Sequence, residues 1–584
     1  MRAAMLRSLV VSLALLLAST LTAQDWPQWG RTSLHDGIAV GPGDRFDRIE
    51  AQVVIDPFAQ QERDASGFDS ILVHYPVPLV DGNDVYLLEK SGTFSTRQTS
   101  ETQRWNVKNM RRTTAGLTKQ WMFASDWMPA PSARPNGGPS WEPVFHPALS
   151  ADAVWVPGAG GTMFKVRRTD GVQLARVNPF GNTINSTIYV AGPPAIDAGG
   201  NVFYNAMQLS ASAPWTADPG GAWLVRIAAN GTTSMVSFGT LVPSPAPDAL
   251  CTTQFAQGLS DLPLPPSRNA VAPTARCGPQ RPGLNVAPAI AADGTIYTIS
   301  RAHLNDRYGF LVAVNANLTP KWAASLRERF NDGCNVGLPQ NGAPGGCRAD
   351  SITGVDPTDN LRGSGRIQDD STSSPVVLPD GNVLYGAYTR YNYSQGHLMK
   401  FSAAGDFIGA YGFGWDVTPA VWSHDGTYSI VMKENRYNAG SYCRSDVCLP
   451  RNISAPNDPE GYFVTQLDSN LRVEWQYRNT ESRECERFGD TIVCSPPVTS
   501  HGFEWCVNAL AVDRFGVVYA NSEDGNLYAI SQGGGLRQRI FLDTALGAAY
   551  TPLAIGGDGK IYTQNNGTLF VITSNGRRRA AGKS

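Results

Sequence analysis

The amino-acid sequence predicts an all-β fold, an eight-bladed β-propeller of four-stranded antiparallel blades. Three observations support this prediction. The 584 residues include 59 glycines and 40 prolines, and short apolar segments between turn residues far outnumber helical patterns. One strand unit recurs eight times along the chain. Its shortest spacings match the roughly 40 to 45 residues of a propeller blade.

The recurring unit begins with a proline and a few apolar residues, passes through a turn containing Asp or Gly, and ends with β-branched and aromatic residues. Examples are "APAIAADGTIYTIS", "SPVVLPDGNVLYGA" and "TPLAIGGDGKIYTQ". This pattern predicts a β-hairpin whose turn glycine adopts positive φ. The eight turn positions are Gly82, Ala153, Gly200, Gly294, Gly381, Gly426, Gly516 and Gly559.

Additional strands complete most units, as in "LVAVNANLTPKW" and "YFVTQLDSNLRVEW". Trp322 and Trp475 occupy equivalent places in these two segments, which predicts a fourth strand with a packing aromatic. Turn positions 43 to 47 residues apart indicate one blade each, and those 71 to 94 residues apart indicate a blade with an insertion.

The last unit has three strands and then reaches the basic tail "RRRAAGKS". An open blade exposes a strand edge, and such edges are normally paired or covered. We therefore expect "RIEAQVVIDPF" near the N-terminus to supply the missing strand. Trp26 and Trp29 of "DWPQWG" should then be covered where the two ends of the ring meet.

All nine cysteines lie in or beside the long intervals and outside the repeated turns. This placement predicts local disulfides that constrain the insertions, each contributing about 2 to 4 kcal/mol where the geometry allows. Pairing within the group Cys485, Cys494 and Cys506 is open, and so is the role of the odd cysteine.

Residues 1–23 have the basic start, apolar stretch and small residues of a secretory signal peptide. We expect a single propeller domain over residues 24–575, a disordered basic tail over residues 576–584, and secretion or a periplasmic location. The apolar stretch is too short to span a bilayer, and no cysteine follows it as a lipid anchor. A formal net charge of −2 gives no attraction to nucleic acid.

The sequence resembles the quinoprotein-like eight-bladed propellers, which carry pyrroloquinoline quinone (PQQ) repeats. The resemblance rests on "DWPQWG" and on repeats such as "FGVVYANSEDGNLYAIS" and "GDGKIYTQNNGTLFVIT", and it covers nearly the whole mature chain. The family includes dye-linked alcohol dehydrogenases and outer-membrane assembly scaffolds, so the resemblance implies a fold and leaves the activity open.

Family dehydrogenases hold the quinone on the ring axis with calcium, an Asp base and usually a pair of adjacent cysteines. This sequence has neither a Cys-Cys pair nor a Cys-x-x-Cys-His haem site. The resemblance also implies that residues near each repeat proline line one mouth of the central channel. The candidates for cofactor binding there are His74, His146, Ser374, Trp415, Asp416 and Thr551.

The segment "GRIQDDSTSSP" contains the candidate catalytic residues. Asp369 or Asp370 could take a hydroxyl proton while Arg366 stabilises the developing negative charge. The favoured alternative is structural, with the acids capping turns and the arginine forming a surface ion pair. His74 and His146 could face each other across the channel and bind a metal. Histidines bonded to the backbone are the favoured interpretation, and no metal site is predicted.

The leading functional hypothesis is a secreted or periplasmic binding module for an unidentified protein or carbohydrate ligand, with no cofactor. Its insertion loops would form the recognition surface. The alternative is a PQQ-dependent dehydrogenase that oxidises alcohols or sugars with a calcium-bound quinone. A propeller hydrolase ranks last because the sequence lacks the Ser-x-Asp-x-Gly-x-Thr-Trp boxes of sialidase blades.

Overall fold

The computed structural model of the protein confirms the eight-bladed propeller of four-stranded antiparallel sheets. It describes residues 25–66, 74–94, 102–131, 143–252, 273–336, 340–342, 347–356, 359–389, 396–436, 460–545 and 550–575. The predicted signal peptide and basic tail, along with Cys443 and Cys448, lie outside the described residues.

Blades 1 to 4 follow one another along the chain, and each starts with a short innermost strand. Blades 3 and 4 each have one additional short strand, which pairs with the second strand of the blade as the innermost strand does. These additional strands are Ile188–Val190 and Gln280–Pro282. The four main strands are Leu79–Asp81, Asp84–Gly92, Gln103–Thr113 and Gly116–Ala124 in blade 1, and Ala148–Leu149, Ala153–Pro157, Met163–Arg167 and Gln173–Val177 in blade 2. They are Ala195–Ile196, Val202–Gln208, Gly221–Ile227 and Thr233–Ser237 in blade 3, and Ala289–Ile290, Ile296–Ala302, Asn305–Val314 and Pro320–Ser325 in blade 4.

Blades 5 to 8 repeat the arrangement, and blade 8 takes its outermost strand from the N-terminal region. The strands are Val376–Val377, Val383–Tyr388, Gly396–Phe401 and Phe407–Tyr411 in blade 5, and Ala420–His424, Thr427–Arg436, Gly461–Leu467 and Val473–Arg478 in blade 6. They are Ala511–Val512, Val518–Asn521, Asn526–Ser531 and Gly535–Phe541 in blade 7, and Ala554–Ile555, Ile561–Asn565, Thr568–Thr573 and Arg48–Val54 in blade 8.

The remaining elements are small and belong to connections. Two hairpins are formed by Leu250–Cys251 with Ala275–Arg276 and by Arg483–Phe488 with Thr491–Pro497. The helices are Ala59–Ser66, Phe238–Leu241 and the 3₁₀ turn Ala159–Gly161. Among the described residues, no helix combines the length and apolarity needed to cross a membrane.

The closing strand is the one that the sequence predicts. Arg48–Val54 pairs antiparallel with Thr568–Thr573, with Val53 opposite Leu569. The pairing completes the edge of blade 8, and Leu569 is fully buried. The first and last strands of the ring therefore share one sheet, which explains why an unfinished terminal blade is stable.

Residues 26–44, here called the N-terminal strap, contact all eight blades in chain order. Trp26 exchanges two backbone hydrogen bonds with Val80 in blade 1, and the Asp44 amide donates to the carbonyl of Gly559 in blade 8. In between, the strap contacts the innermost strands through Leu149, Ile196, Ile290, Val377, Val421 and Val512. The strap thus links the inner ends of all the sheets.

Trp29 differs from the sequence expectation, because it lies inside the ring and away from the joint between the chain ends. Its indole Nε1 donates to Thr418 Oγ1 at 3.1 Å, and its ring lies 5.7 Å from that of His146. These two residues begin blade 6 and blade 2, on opposite sides of the ring. Trp29 has no exposed surface, and these contacts place its side chain inside the ring between blades 2 and 6. Trp26 is also covered, but by blade 1.

Tryptophans near the outer edges of blades bond to the turn of the next blade. The Nε1 of Trp121 donates to the Arg168 carbonyl, and that of Trp322 donates to the Ala403 carbonyl. Gly405 lies under Trp322 at φ 91°, and a Cβ there would be 2.8 Å from the indole. Such contacts repeat the same interblade joint around the ring.

The turn and disulfide predictions are also confirmed. The seven repeat-turn glycines have φ between 59° and 90°. Cys251 pairs with Cys277, Cys334 with Cys347, and Cys485 with Cys494. Cys506, near the inner strand of blade 7, is a thiol outside these three pairs.

Candidate functional site

Side chains from blades 6, 7 and 8 meet at the channel mouth from which the innermost strands start. We call Asp416, Lys433, Glu504, Cys506, Glu523 and Tyr550 the mouth cluster. Asp416, Cys506 and Tyr550 precede the inner strands of blades 6, 7 and 8, whereas Lys433 and Glu523 lie at the ends of second strands. The topology of the ring brings these positions to one end of the channel.

Asp416 is a predicted rim residue and is 1% exposed. Its Oδ1 accepts hydrogen bonds from the Thr372 amide at 2.7 Å and from Thr372 Oγ1 at 2.9 Å. The Tyr550 side chain also bonds to this carboxyl group. Burial raises the pKa of Asp416, and the nearby Lys433 ammonium partly offsets that effect. Asp416 has φ 54°, a left-handed conformation that Asp tolerates better than most residues.

Lys433 is 5% exposed and is the cation of the mouth cluster. Its Nζ lies 3.8 Å from Asp416 Oδ2 and 4.5 Å from the centre of the Tyr550 ring. The first distance is too long for a hydrogen bond, and the second is a cation–π contact. Within the described part of the chain, this ammonium makes no hydrogen bond. Its three N–H donors are therefore not satisfied by any described residue.

Tyr550 joins the rim of blade 8 to that of blade 1. The His74 ring lies 4.8 Å from the Tyr550 ring, and the two backbones form a parallel bridge. Burial, followed by the negative charge of Asp416, raises the pKa of Tyr550 well above its ordinary value. The phenol is therefore a neutral hydrogen-bonding group at physiological pH.

Two glutamates and a thiol form the other side of the cluster. The Cys506 side chain hydrogen-bonds with that of Glu523, whose backbone amide donates to the Glu504 carbonyl. Burial and the neighbouring Glu504 carboxylate raise the pKa of Glu523 well above its ordinary value. Burial also raises the pKa of the Cys506 thiol. Cys506 is buried, whereas both glutamates are partly exposed.

The candidate catalytic residues lie elsewhere, in an ion-pair network between blades 4 and 5. Asp369 accepts a two-point bond from Arg281, at 2.8 and 2.6 Å, and lies 3.2 Å from Arg301. Burial opposes ionisation, but the two guanidinium charges prevail and lower the pKa of Asp369 well below its ordinary value. Arg366 forms its two-point bond with Asp306. The structure therefore places Arg366 and Asp369 in separate ion pairs.

The structure does not gather the other predicted rim residues into one site. Ser374 Oγ accepts from the Ala287 amide at 3.0 Å, and Thr551 Oγ1 accepts from Asn521 Nδ2 at 3.1 Å. Trp415 is partly exposed and packs edge-on against Tyr388. Asp370, beside Asp369, is also partly exposed.

The two rim histidines contact different residues, with His74 against Tyr550 and His146 against Trp29. His146 Nδ1 bonds to the Pro147 carbonyl at 2.5 Å. Burial lowers the pKa of His146 to about 3 and that of His35, in the N-terminal strap, to about 4. Both imidazoles are therefore neutral at physiological pH.

No protein-family model matches the sequence, and no curated protein matches it. Solved structures are similar in fold. A europium-containing methanol dehydrogenase is 10% identical over 93% of this chain and 89% of its own, with a TM-score of 0.48. A quinohemoprotein alcohol dehydrogenase from Comamonas testosteroni is 12% identical over 96% of this chain and 82% of its own, with a TM-score of 0.48. BamB from Moraxella catarrhalis is 10% identical over 90% and 99%, with a TM-score of 0.36.

Eight four-stranded blades closed by an N-terminal strand are now established. The chain has the fold of an eight-bladed β-propeller closed by its N-terminal strand. Function has to be argued from the side chains of this propeller, because one fold supports different functions.

A calcium-bound quinone can be tested against the donors of the propeller channel. Calcium takes six to eight oxygen ligands. Among the described residues, no group of three or more His, Cys, Asp or Glu side chains is placed to hold a metal ion. Trp29 also lies inside the ring, in contact with blades 2 and 6. The described residues therefore do not fit a calcium-bound quinone on the propeller axis.

Sequence reasoning found Asp416 and His74 but missed Lys433, Tyr550, Glu504 and Glu523. Tyr550 stands two residues before its repeat proline, the position that His74 holds in the first unit, and this equivalence was a usable signal. Lys433 and Glu523 lie beyond the ends of the repeated hairpins. These two residues lie at the mouth because of the length of their strands and the closure of the ring. No local sequence pattern predicts either feature.

Proposed function

We propose that this quinoprotein-like propeller is a secreted or periplasmic binding module whose ligand site is the mouth cluster. The observation that carries the proposal is Lys433, whose side chain is 5% exposed and whose Nζ makes no hydrogen bond to the described chain. None of its three N–H donors is satisfied by a described residue. A ligand that accepts hydrogen bonds from Lys433 would therefore not have to displace a partner in the described chain.

The compartment in the proposal is supported by the disulfides. Three cysteine pairs are bonded in the described residues, and each is local in sequence, with separations of 26, 13 and 9 residues. Structural disulfides persist in secreted and periplasmic proteins, whereas the cytosol keeps thiols reduced.

The proposal is tested by thermal unfolding of the full mature chain with a panel of sugars, polyols, amino acids, dicarboxylates and polyamines. A ligand at about 100 times its Kd stabilises by about 2.7 kcal/mol. We expect at least one probe to raise the Tm of the wild-type protein and to have no effect on Lys433→Met. Lys400→Met is the matched control, because Lys400 is also buried against a tyrosine, and it should keep the response.

Two results would contradict the proposal. One is a panel without any Tm shift, or with shifts that Lys433→Met retains. The other comes from a parallel sample that receives PQQ and calcium chloride. A bound-quinone absorption spectrum together with dye reduction by alcohols or sugars would establish the dehydrogenase alternative instead.

A further inference from the structure

We propose that the mouth cluster binds a neutral, polyhydroxylated molecule, of the chemical class of sugars and polyols, through a hydroxyl that bridges Lys433 and Asp416. This inference rests on the proposed function, because it names the ligand class of the same site.

The distance between Lys433 Nζ and Asp416 Oδ2 defines the first contact. At 3.8 Å the two atoms are too far apart for a direct hydrogen bond. An oxygen atom can nevertheless lie about 2.8 Å from both of them. The bridging group must accept a hydrogen bond from the ammonium and donate one to the carboxylate.

A hydroxyl satisfies both requirements with one atom. A ligand carboxylate accepts but cannot donate, and an ammonium donates but cannot accept. A carboxylate bonded to Lys433 would also lie beside Asp416, and an ammonium bonded to Asp416 would lie beside Lys433. Either placement brings like charges together in a desolvated site. The pair of Lys433 and Asp416 therefore disfavours both a carboxylate and an ammonium group at this position.

The opposite side of the cluster provides further hydrogen-bonding groups for a molecule with several hydroxyls. Glu504 and Glu523 are partly exposed, while Asp416 and Lys433 are buried beneath the mouth. Glu523 can donate or accept according to its protonation, and Glu504 accepts. Separate groups at the two sides favour a polyol over a simple alcohol.

Asn508 adds an independent observation at the same mouth. It occupies the rim position of blade 7, and its carbonyl accepts from the Thr418 amide. Asn508 is fully buried, yet neither side-chain amide atom has a hydrogen-bond partner in the described residues. An amide with both atoms unsatisfied indicates a bonding partner beyond the protein chain itself, such as a ligand hydroxyl or an ordered water.

The test measures binding of D-glucose, cellobiose, maltotetraose and D-mannitol to the mature protein by saturation-transfer NMR and calorimetry. 1-Butanol, succinate, putrescine and glycine serve as contrasting probes. We expect saturable binding of at least one polyol and none of 1-butanol. Lys433→Met should weaken that binding at least tenfold, Asp416→Asn at least fivefold, and Lys400→Met less than twofold.

The outcomes separate the ligand class from the site. If succinate, putrescine or glycine binds, loses affinity in Lys433→Met, and no polyol binds, the polyol inference is wrong while the proposed function stands. If nothing binds, or if Lys433→Met and Asp416→Asn both bind as the wild type does, water alone bridges the pair and both proposals fail. Asp416→Asn decides the question where Lys433→Met does not fold.

Discussion

Lys400 in blade 5 and Lys433 in blade 6 have similar surroundings and different bonding. Each is about 95% buried, lies over a tyrosine ring and has an aspartate beside it. Lys400 Nζ is bonded to Asp380, to the Tyr428 hydroxyl at 2.7 Å and to the Ser469 carbonyl at 2.8 Å. All three of its N–H donors are satisfied, whereas Lys433 satisfies none of its donors in the described chain. Lys400 therefore supports the fold, and Lys433 is the lysine that we propose for ligand binding.

Lys90 in blade 1 shows that a lysine at the strand position of Lys433 can have partners in the protein for its ammonium group. Both residues lie near the end of the second strand of their blades. Lys90 Nζ is 3.1 Å from both Asp56 and Glu62, and the Tyr75 hydroxyl also bonds to Asp56. The N-terminal segment supplies both carboxylates. The same strand position thus becomes structural where another segment covers it.

The largest effect is expected from Lys90→Met. The change leaves Asp56 and Glu62 facing each other, with side chains 0% and 7% exposed. Removing one partner of a buried ion pair costs about 3 to 5 kcal/mol. Urea unfolding should show this loss, and Lys119→Met at an exposed position should show almost none. A loss below about 1 kcal/mol would show that Lys90 is not structural.

A smaller loss is expected from Lys400→Met. It removes three hydrogen bonds, but Asp380 is 37% exposed and can be solvated by water. We expect the unfolding free energy to fall by about 2 kcal/mol. If Lys400→Met is as stable as the wild type, Lys400 contributes no more to the free energy of unfolding than we expect of Lys433. The contrast between a structural and a ligand-binding lysine would then be wrong.

Lys433→Met should change stability least of the three lysine variants, by less than about 1 kcal/mol. Its Nζ forms no hydrogen bond to a described residue that would be lost, and replacing it removes the cost of desolvating an ammonium. Asp416 keeps its bonds from Thr372 and can take up a proton. Urea unfolding beside Lys400→Met gives the direct contrast. A loss equal to that of Lys90→Met would mean that Lys433 is structural.

The surplus of acids at the mouth predicts a pH dependence. The folded-state pKa of Glu523 is raised, so the stability that neutral Glu523 contributes is fully present below about pH 4.5. It is lost as the pH rises through the folded-state pKa. Between pH 5 and 9 the Tm of the wild type should therefore fall more steeply than that of Glu523→Gln. Parallel Tm profiles would argue against a titrating Glu523.

The repeat pattern predicted the ring because every blade depends on the same local rules. Prolines, turn glycines and alternating apolar residues specify each hairpin, and the incomplete last unit indicates that the N-terminal strand closes it. Trp29 escaped prediction because its partners Thr418 and His146 are distant in sequence. Its contacts depend on the path that the 19 residues of the N-terminal strap take across the ring. No periodic sequence pattern predicts that path.

The candidate site was less predictable than the fold. Counting back from the repeat proline located Asp416 and His74, but Asp369 and Arg366 also satisfied the sequence criteria and lie in separate ion pairs. A sequence indicates which groups can ionise and not which of them are already neutralised. The difference between Lys400 and Lys433 is of this kind, since it depends on side-chain distances within one ångström.

The N-terminal strap also constrains the order of events during biosynthesis. Residues 26–44 leave the ribosome before any blade, yet their partners extend to Gly559 in the last one. Residues 26–39 can pair with blades 1 to 7 as these form, whereas Asp44 and the strand Arg48–Val54 lack their blade 8 partners until almost the entire polypeptide has been synthesised. Closure of the ring therefore follows the synthesis of all eight blades, and a chain stalled before blade 8 leaves the strand Arg48–Val54 without its partner.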